Sequence, residues 1–548
     1  MIKNLKKKYN TILNFVFPLI LIFIGFVLHK DYGISSDEEI TRNNGLVSIK
    51  YIYNFLLQQY SFNLEIIKNV PDLKNYSDRQ YGSFLEIIQI AVIEILFGIK
   101  NFAEVFYYRH LSNHYLFVAS IITFYFLCLD LFKDKFNAFF GALVLYSSPR
   151  IFADSFYNGK DLAFLSLFIF LIFFTIKFIK KPNYKNAFLL SIFAAIATNL
   201  RIVAMYVPFL IILFFVIEFL MKNKFDIKKI KVLFFLLISK FIILYIIWPF
   251  LWEDPLTNFM YTLSSFSRFV NWEAYVFYLG DFHKVFYLPW HYIFVSFLAT
   301  TPLIISFLII CGLIQVNSRF IGRLINIDNK NPHNDIWRSE NEKIFLFISF
   351  IILIPIFLIF LLDSVIYNSW RHLFFLYPAL ILILIYFVNI VTKKYRHKKV
   401  LSYIQILLLI ALLNNFYNLI RLHPHQYVYF NFIFEKNANR LFEIDYWGLS
   451  NKSALKNLLD ENSEKNTITV GVASFTNLYL SKKMLPLTYK NRLIITGQEF
   501  SKTDYIYNNN YFEINPNYND KYLIPKNYTR HSVVKKGKIL INEFFAKK

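Results

Sequence analysis

The chain has 548 residues, of which 56% are hydrophobic, 20% aromatic and 17% charged. A soluble protein carries about a quarter charged residues, and 64 phenylalanines are too many for one water-soluble core. Apolar runs such as FPLILIFIGFVL approach the length needed to cross a bilayer. The composition therefore excludes a soluble enzyme or binding module and predicts an integral membrane protein.

The net charge of +23 raises the alternative of a nucleic-acid-binding protein. Most of the basic residues, however, fall in short loops between apolar runs, which is the positive-inside pattern of membrane proteins. We therefore expect contacts with membrane lipids and none with nucleic acid. The two cysteines, Cys128 and Cys311, lie in apolar runs and indicate neither a disulfide framework nor a metal motif.

The charges of the loops predict about eleven membrane-spanning helices. The expected spans are 11–29, 112–131, 136–149, 162–179, 186–200, 203–221, 231–250, 290–314, 343–362, 372–391 and 400–419. The sequence MIKNLKKKYN is expected in the cytoplasm, ahead of an uncleaved first helix. The short run 86–98 is predicted to lie in the outer interface, because a span there would place the later Lys-rich loops outside. The carboxyl terminus is then extracytoplasmic.

Residues 421–548 have a different pattern. ITVGVAS and RLIIT are typical of short buried strands, and SALKNLLDEN of a helix. The predicted fold class is an all-α polytopic membrane bundle with interfacial helices, followed by a small C-terminal α/β domain. We expect residues 1–420 to form the transmembrane module and residues 421–548 the extracytoplasmic domain.

Three adjacent carboxylates, Asp37, Glu38 and Glu39, follow the first span on the outer side. Crowded carboxylates near a membrane surface hold protons more readily than isolated ones, which suits a general base. The same residues are typical of a solvated turn that caps a helix beginning near Ile40, and capping is their more common use. Both interpretations stay open at this point.

The second outer loop is SSPRIFADSFYNGKDLAF. Its polar residues include Arg150, Asp154, Asn158, Lys160 and Asp161. Other outer turns carry Arg109, His110, Arg201, Arg371 and His372. A guanidinium offers a forked donor for phosphate and an ammonium a point charge, so these residues together predict a site for an anionic group such as a lipid phosphate. Singly, each is typical of a basic anchor at the interface.

Two aromatic segments follow the last span, HPHQYVYFN at 423–431 and FEIDYWGLSNK at 442–452. Their composition suits a surface on which a sugar stacks, whereas packing of the outer domain onto the bundle is the more common role of such residues. Lys240, in the middle of a predicted span, indicates either a functional charge or one with a buried partner.

The outer motifs come in a distinctive order. An Asp-Glu pair follows the first helix, Tyr81-Gly82 precedes the short interfacial helix, and RHL enters the second span. SPRIFADSFYNGKD, WPFLWEDPL, YLPWHY and WRHLFFLYPAL come later. In this order, residues 10–430 resemble the GT-C glycosyltransferases, most nearly family 39, the dolichyl-phosphate-mannose protein mannosyltransferase and aminoarabinose transferase type. HPHQYVYFN and DYWG are similar to a bacterial subgroup of that family.

The resemblance implies a glycosyltransferase of the bacterial cell envelope, in the plasma (inner) membrane. Its donor would be a polyprenyl-phosphate sugar, its acceptor a hydroxyl on a lipid, glycan or protein, and its reaction would invert the anomeric carbon. By position in the motif, the resemblance implies Asp37 as the base, with Glu38 as the second choice.

The resemblance also implies the residues that bind substrate. They are Arg109, Arg150, Asn158, Lys160, Asp161, Arg201, Arg371 and His372. The guanidiniums of Arg150, Arg201 and Arg371, with the ammonium of Lys160, would hold the lipid phosphate, and Asp161 would orient Lys160 or the acceptor. Many relatives have a proline shortly after the Lys-Asp pair, where this chain has Leu162-Ala163.

No cofactor is expected, and a divalent metal stays open, because the acidic cluster lacks the spaced ligands of a dedicated cation site. Two other classes of protein remain. A transporter or flippase of a lipid-linked or anionic substrate would place polar groups near the bilayer midplane, where this chain has few. An oligosaccharide ligase or polymerase would use similar lipid-linked donors.

Overall fold

The structure is a computed structural model that describes residues 16–57, 64–222, 226–267, 274–325, 336–395, 399–515 and 520–548. Its helices α1 to α20 are Val16–Leu28, Glu38–Ile52, Phe84–Ile90, Phe102–Phe132, Lys135–Ser147, Pro149–Tyr157, Asp161–Lys180, Tyr184–Leu200, Tyr206–Lys222, Ile227–Ile247, Pro255–Ser267, Tyr292–Thr300, Leu303–Ile325, Glu340–Leu361, Tyr377–Lys394, Val400–Leu422, Ala438–Leu441, Asn451–Glu461, Leu478–Lys483 and Leu487–Arg492. Its strands β1 to β7 are Tyr275–Tyr278, Asp281–Lys284, Ile468–Val472, Leu493–Gly497, Tyr505–Asn508, Tyr528–Lys536 and Ile539–Lys547. The sequence MIKNLKKKYN and residues 11–15 of the first predicted span lie outside the described residues.

Eight helical segments of the described chain are long and apolar enough to cross a membrane. They are Phe102–Phe132, Asp161–Lys180, Ile202–Met221, Ile227–Ile247, Leu303–Ile325, Glu340–Leu361, Arg371–Lys394 and Leu401–Leu422. Each overlaps a predicted span, and the shorter helices α1, α5 and α8 overlap the others. The chain is thus a multi-pass membrane protein built as a helical bundle, as the sequence predicts.

The prediction of a single helix across 290–314 is wrong, since α12 and α13 are separate helices there. Pro302 lies between them, and a proline has no N–H with which to continue the helical hydrogen bonds. Asn431 binds the end of α12 instead. Its N–H donates to the carbonyl of Ala299 at 2.9 Å, and its side-chain amide donates to the carbonyl of Thr301 at 3.2 Å. The segment after α16 is thereby attached to the bundle.

The short run 86–98 is helical, and α3 continues into a π-helical turn over Ala91–Leu96. Ile90 of α3 is buried against α2, while Leu96 and Phe97 are exposed. A short helix with one buried and one exposed apolar side suits a membrane interface. Its position in the outer interface stays a prediction.

The loop before α3 passes close to the end of α8. Gly82 has no Cβ, and a Cβ added there would overlap the carbonyl oxygen of Asn199. The side-chain oxygen of Asn199 accepts a hydrogen bond from the N–H of Phe84 at 3.1 Å, at the start of α3. This contact places Tyr81 beside the ends of α7 and α8.

The carboxyl-terminal part contains a five-stranded sheet in the order β4-β3-β5-β7-β6. Strands β4, β3 and β5 are parallel, and β7 is antiparallel to both β5 and β6. Helix α18 packs Leu455, Leu458 and Leu459 against Ile468 and Val470 of β3. The predicted strands ITVGVAS and RLIIT and the helix SALKNLLDEN are confirmed as β3, β4 and α18, and with them the small α/β part of the predicted fold class.

The segment between α16 and α18 packs with the bundle. Tyr427, Val428 and Trp447 are buried in the same core as the spanning helices, together with Ile539 and Ile541 of β7, whereas α18 packs in a separate core with β3, β4 and β5. The division of the chain into domains at residue 420 therefore stays a prediction.

Candidate active site

The turn at the start of α2 carries Asp37 and is fixed by the residues around it. The carboxylate of Glu38 accepts a hydrogen bond from the N–H of Ser35 at 2.7 Å and bonds to Nε2 of His110 on α4 at 2.9 Å. The N–H of Ser36 donates to the carbonyl of Trp447 at 3.2 Å. Glu38 is buried with both carboxylate oxygens engaged, which is the geometry of a capping residue. Its second-choice role as base stays a prediction.

The Asp37 carboxylate differs from that of its neighbour. It is half-buried and accepts no hydrogen bond from the residues that the structure describes. Its charge acts on Lys160, Arg371 and Tyr446. A carboxylate held close to cations without being bonded to them is available to accept a proton from a bound group.

Asp161 joins several predicted site residues. It is buried at the first position of α7, and its two oxygens pair with Arg201 at the end of α8 and with Arg371 before α15, the latter at 2.9 Å. Asn158 donates to the Asp161 carboxylate at 3.3 Å and accepts from its backbone N–H at 2.8 Å. Residues that are far apart in the sequence therefore meet at one carboxylate.

Lys160 lies beside this group, and its Nζ is 4.3 Å from the centroid of the Tyr81 ring. Burial lowers the pKa of Lys160, and the charge of Asp37 opposes that shift. Among the described residues, no carboxylate forms an ion pair with the Lys160 ammonium. Its N–H donors therefore remain available to an anionic ligand.

Aromatic rings enclose the guanidinium of Arg371. Its central carbon lies 4.7 Å from the ring centroid of Tyr367, 5.4 Å from that of Tyr446 and 4.8 Å from that of Trp447. His372, another predicted residue, packs edge-on against Tyr367 with the ring centroids 4.8 Å apart. These cation–π contacts hold the guanidinium plane in one orientation.

The DYWG motif reaches Arg371 because Asp445 folds it into a tight turn. The Asp445 carboxylate accepts a hydrogen bond from the N–H of Leu449 at 3.0 Å and also binds the hydroxyl of Ser450. Gly448 has a φ of +66°, in the left-handed region that favours glycine. The hydroxyl of Ser450 accepts from the side-chain amide of Asn542 on β7 at 2.7 Å. The sheet thus supports a turn that contacts the site.

A cleft opens beside Arg371. The space between its lining atoms, with the open mouth included, is about 610 Å³. Its polar lining includes Arg150, Asp154, Tyr292, Ser369, Arg371 and Glu443, and its aromatic lining Phe430, Phe442, Tyr446 and Trp447. Lys160, Arg201 and Arg371 form a cation cluster around Asp161. Arg371 therefore belongs both to this cation cluster and to the wall of the cleft.

Burial shifts the ionisable groups of the cleft. It raises the pKa of Asp154 to about 6 and that of Glu443 to about 8, and it lowers the pKa of Arg150 to about 10. Glu443 accepts one hydrogen bond, from the N–H of Phe277 at 3.3 Å. Two carboxyl groups of the cleft thus hold protons more tightly than they would in water.

Asn158 connects the cleft to the cation cluster, because its amide donates to both Asp154, at 3.1 Å, and Asp161. Arg150 stands on the wall of the cleft, where its Nε donates to the carbonyl of Tyr429 at 3.0 Å. The cluster and the cleft are therefore two parts of one polar region at the end of the bundle.

Two of the predicted residues lie elsewhere. The buried guanidinium of Arg109 pairs with Glu86 of α3, and Glu38 pairs with His110. Both pairs lock the interfacial elements onto α4. Asp37, Asn158, Lys160, Asp161, Arg201, Arg371 and His372 come together, and Arg150 lines the adjoining cleft.

Tyr81, Tyr367 and Glu443 also belong to the site, although no sequence pattern predicts a functional role for them. Tyr81 is part of the Tyr81-Gly82 motif that contributes to the family resemblance. Its contact with Lys160, however, depends on the close approach of the loop before α3 to the start of α7. Tyr367 and Glu443 stand in loops without periodicity, and pattern analysis has no signal for such positions. Their place in the site depends on the tertiary fold.

Within the described ranges, no three His, Cys, Asp or Glu residues come together in an arrangement that could hold a metal ion. The expectation that the protein needs no cofactor stays a prediction.

Two crystal structures resemble the chain in fold. One is ArnT from Cupriavidus metallidurans bound to undecaprenyl phosphate, with 10% identity and a TM-score of 0.44 over 97% of each chain. The other is the same protein in the apo state, with 9% identity and a TM-score of 0.48 over 98% of each chain. No protein-family model and no curated protein matches the chain.

We expect Asp161→Asn to destabilise the protein by about 3 kcal/mol, because it leaves two guanidiniums without their buried counter-charge. Thermal unfolding in detergent measures the change. The matched control is Asp130→Asn, whose carboxylate pairs with Lys133 and Lys180 at a more exposed position and whose loss costs about 1 kcal/mol or less. Equal effects of the two substitutions would contradict the central role of Asp161.

We expect Glu443→Gln to change the pH dependence of stability. Between the ordinary Glu pKa of 4.5 and the folded value of about 8, the folded state keeps a proton that the unfolded state releases. Stability therefore falls as the pH rises through this window, by at most about 1.4 kcal/mol per pH unit. Glutamine cannot ionise, so the melting temperature of the variant relative to the parent should increase from pH 5 to pH 8. A difference that does not vary with pH would show that Glu443 ionises normally.

Proposed function

We propose that the protein is a membrane glycosyltransferase. It would transfer a sugar from a polyprenyl-phosphate donor to a hydroxyl of a lipid, glycan or protein acceptor, at the outer face of the plasma membrane. The observation that carries the proposal is the juxtaposition of an unbonded carboxylate, Asp37, with Lys160 and with the Arg201–Asp161–Arg371 chain. The cytoplasmic amino terminus and the extracytoplasmic carboxyl terminus rest on the charges of the loops.

The cations provide the phosphate-binding half of the proposed site. Lys160 has N–H donors without a carboxylate partner among the described residues. Arg201 is a quarter exposed at its side chain, so it is accessible from outside while Asp161 holds one face of it. A phosphate bound here would meet an ammonium and a guanidinium, and a guanidinium binds phosphate oxygens with two parallel donors.

Asp37 provides the base of the proposed reaction. The acceptor hydroxyl oxygen attacks the anomeric carbon as the bond from that carbon to the phosphate oxygen breaks. The bonding pair leaves with the polyprenyl phosphate, and the acceptor proton passes to Asp37. Attack from the side opposite the leaving group inverts the anomeric carbon. A phosphate leaving group needs cations more than it needs an acid, which fits a site with several cations and one accessible carboxylate.

The placement of the charges favours an enzyme over a transporter or flippase. The residues of the cation cluster lie at the ends of α7, α8 and α15 and in the loops between helices. A transport pathway would place its polar groups near the middle of the spanning helices. A general base beside a phosphate site has a chemical use in group transfer that it lacks in transport.

We expect Asp37→Asn to reduce sugar transfer by about 100-fold or more, the usual contribution of a general base, with little effect on folding. The measurement is mass spectrometry of cell-envelope glycans in cells that lack the chain and are complemented with each variant. Protein level and thermal stability are measured in parallel.

The matched control is Glu39→Gln, which changes a nearby carboxylate that pairs with Lys483 at 2.9 Å, outside the proposed site. It should transfer sugar at close to the parent rate. Normal transfer by Asp37→Asn would contradict the assignment of the base, and unchanged envelope glycans in cells that lack the chain would contradict the proposed function itself.

A further inference from the structure

We infer that the cleft lined by Arg150, Ser369, Arg371 and Glu443 binds the sugar ring of the donor, and that Glu443 recognises a hydroxyl of that ring. The inference rests on the proposed function and adds to it the place and the chemistry of sugar recognition. Neither Ser369 nor Glu443 is among the site residues predicted from the sequence.

The position of the cleft fits a sugar that is attached to the phosphate. Arg371 lines the cleft and pairs with Asp161, so the cleft adjoins the proposed phosphate site. Asn158, which bonds both Asp154 of the cleft and Asp161 of the cluster, connects the two on a second side. A sugar in the cleft would thus have its anomeric carbon toward the cation cluster and Asp37.

The cleft contains polar atoms that lack partners. Ser369 Oγ and Arg371 Nε are buried and form no hydrogen bond with the residues that the structure describes. Buried polar atoms are nearly always bonded to protein, water or ligand. Glu443 has one hydrogen bond, to its Oε1 from a backbone N–H, so its other oxygen can bond a ligand. These atoms belong to residues of the segments before α15 and α18, and all three residues line the cleft.

The aromatic lining indicates the class of ligand. Tyr446 and Trp447 stand on one part of the wall, and Phe430, which lies 4.7 Å from the Arg150 guanidinium, stands on another. A pyranose has apolar C–H faces that pack on such rings and hydroxyls at its edge that need hydrogen bonds. A polyprenyl tail would leave the polar atoms of the cleft unpaired, which is costly.

The environment of Glu443 indicates which group of the ligand it recognises. Its charged form is disfavoured by burial, so at neutral pH it mainly carries a proton. A protonated carboxyl both donates and accepts, which matches a hydroxyl. Glutamine reproduces a donor and an acceptor at this position, whereas alanine removes both.

The test measures binding to the full-length protein in detergent. The probes are undecaprenyl phosphate alone and undecaprenyl phosphate linked to glucose, mannose, galactose or N-acetylglucosamine. In the parent protein, at least one sugar should tighten binding relative to the bare lipid phosphate. Glu443→Ala should weaken binding of the favoured sugar-linked probe by about tenfold, the order of effect of losing one hydrogen bond, and leave binding of the bare lipid phosphate unchanged. Glu443→Gln should keep most of the gain.

The matched control is Glu253→Ala, which removes an exposed carboxylate outside the cleft and should behave as the parent. If the parent binds none of the probes, the proposed function fails and the inference with it. If the parent binds undecaprenyl phosphate but no sugar tightens binding, or if Glu443→Ala weakens both kinds of probe equally, the inference alone is overturned. An acceptor defect with unchanged donor binding would also overturn it, because the cleft would then hold the acceptor.

Discussion

The pairing of the Asp161 carboxylate with Arg201 and Arg371 is the interaction on which the site depends. Without this carboxylate the two guanidiniums would repel each other, and the buried Arg371 would have too little water around it to solvate its charge. Asp161 removes both penalties and, in doing so, fixes the ends of α7, α8 and α15 relative to one another. Asn158 extends this arrangement to Asp154, so that the cluster and the cleft form one continuous polar region.

The carboxyl-terminal part contributes directly to this region. Tyr446 and Trp447 contact Arg371, and the turn that carries them depends on Asp445, Gly448 and a hydrogen bond from the sheet. The carbonyl of Trp447 also binds the Asp37 turn. The proposed site is therefore formed by two parts of the chain. They are the helical bundle and the segment between α16 and α18 that leads to the sheet. Removal of residues 421–548 would leave Arg371 without two of its three aromatic neighbours.

Much of this arrangement follows from the sequence. Hydropathy and loop charge predict the helices. The alternation of the loops between the two sides of the membrane also predicts that Asp37, Lys160, Arg201 and Arg371 lie at one end of the bundle, where the structure brings them together. Local pattern does not reveal the pairing between them. Arg109 and Arg201 look alike in sequence, yet one pairs with Glu86 and the other with Asp161, because only the packing of α3 and α8 decides which carboxylate each meets. The break between α12 and α13 at Pro302 is likewise not predicted, because apolar residues continue on both sides of it.

A cryo-electron microscopy structure of the protein with undecaprenyl phosphate bound would show directly where the lipid phosphate binds. We expect the phosphate to lie within hydrogen-bond distance of Lys160 and of Arg201 or Arg371, with the Asp37 carboxylate facing it across an opening for the acceptor. A phosphate bound away from these cations, for instance beside Arg109, would contradict the proposed site.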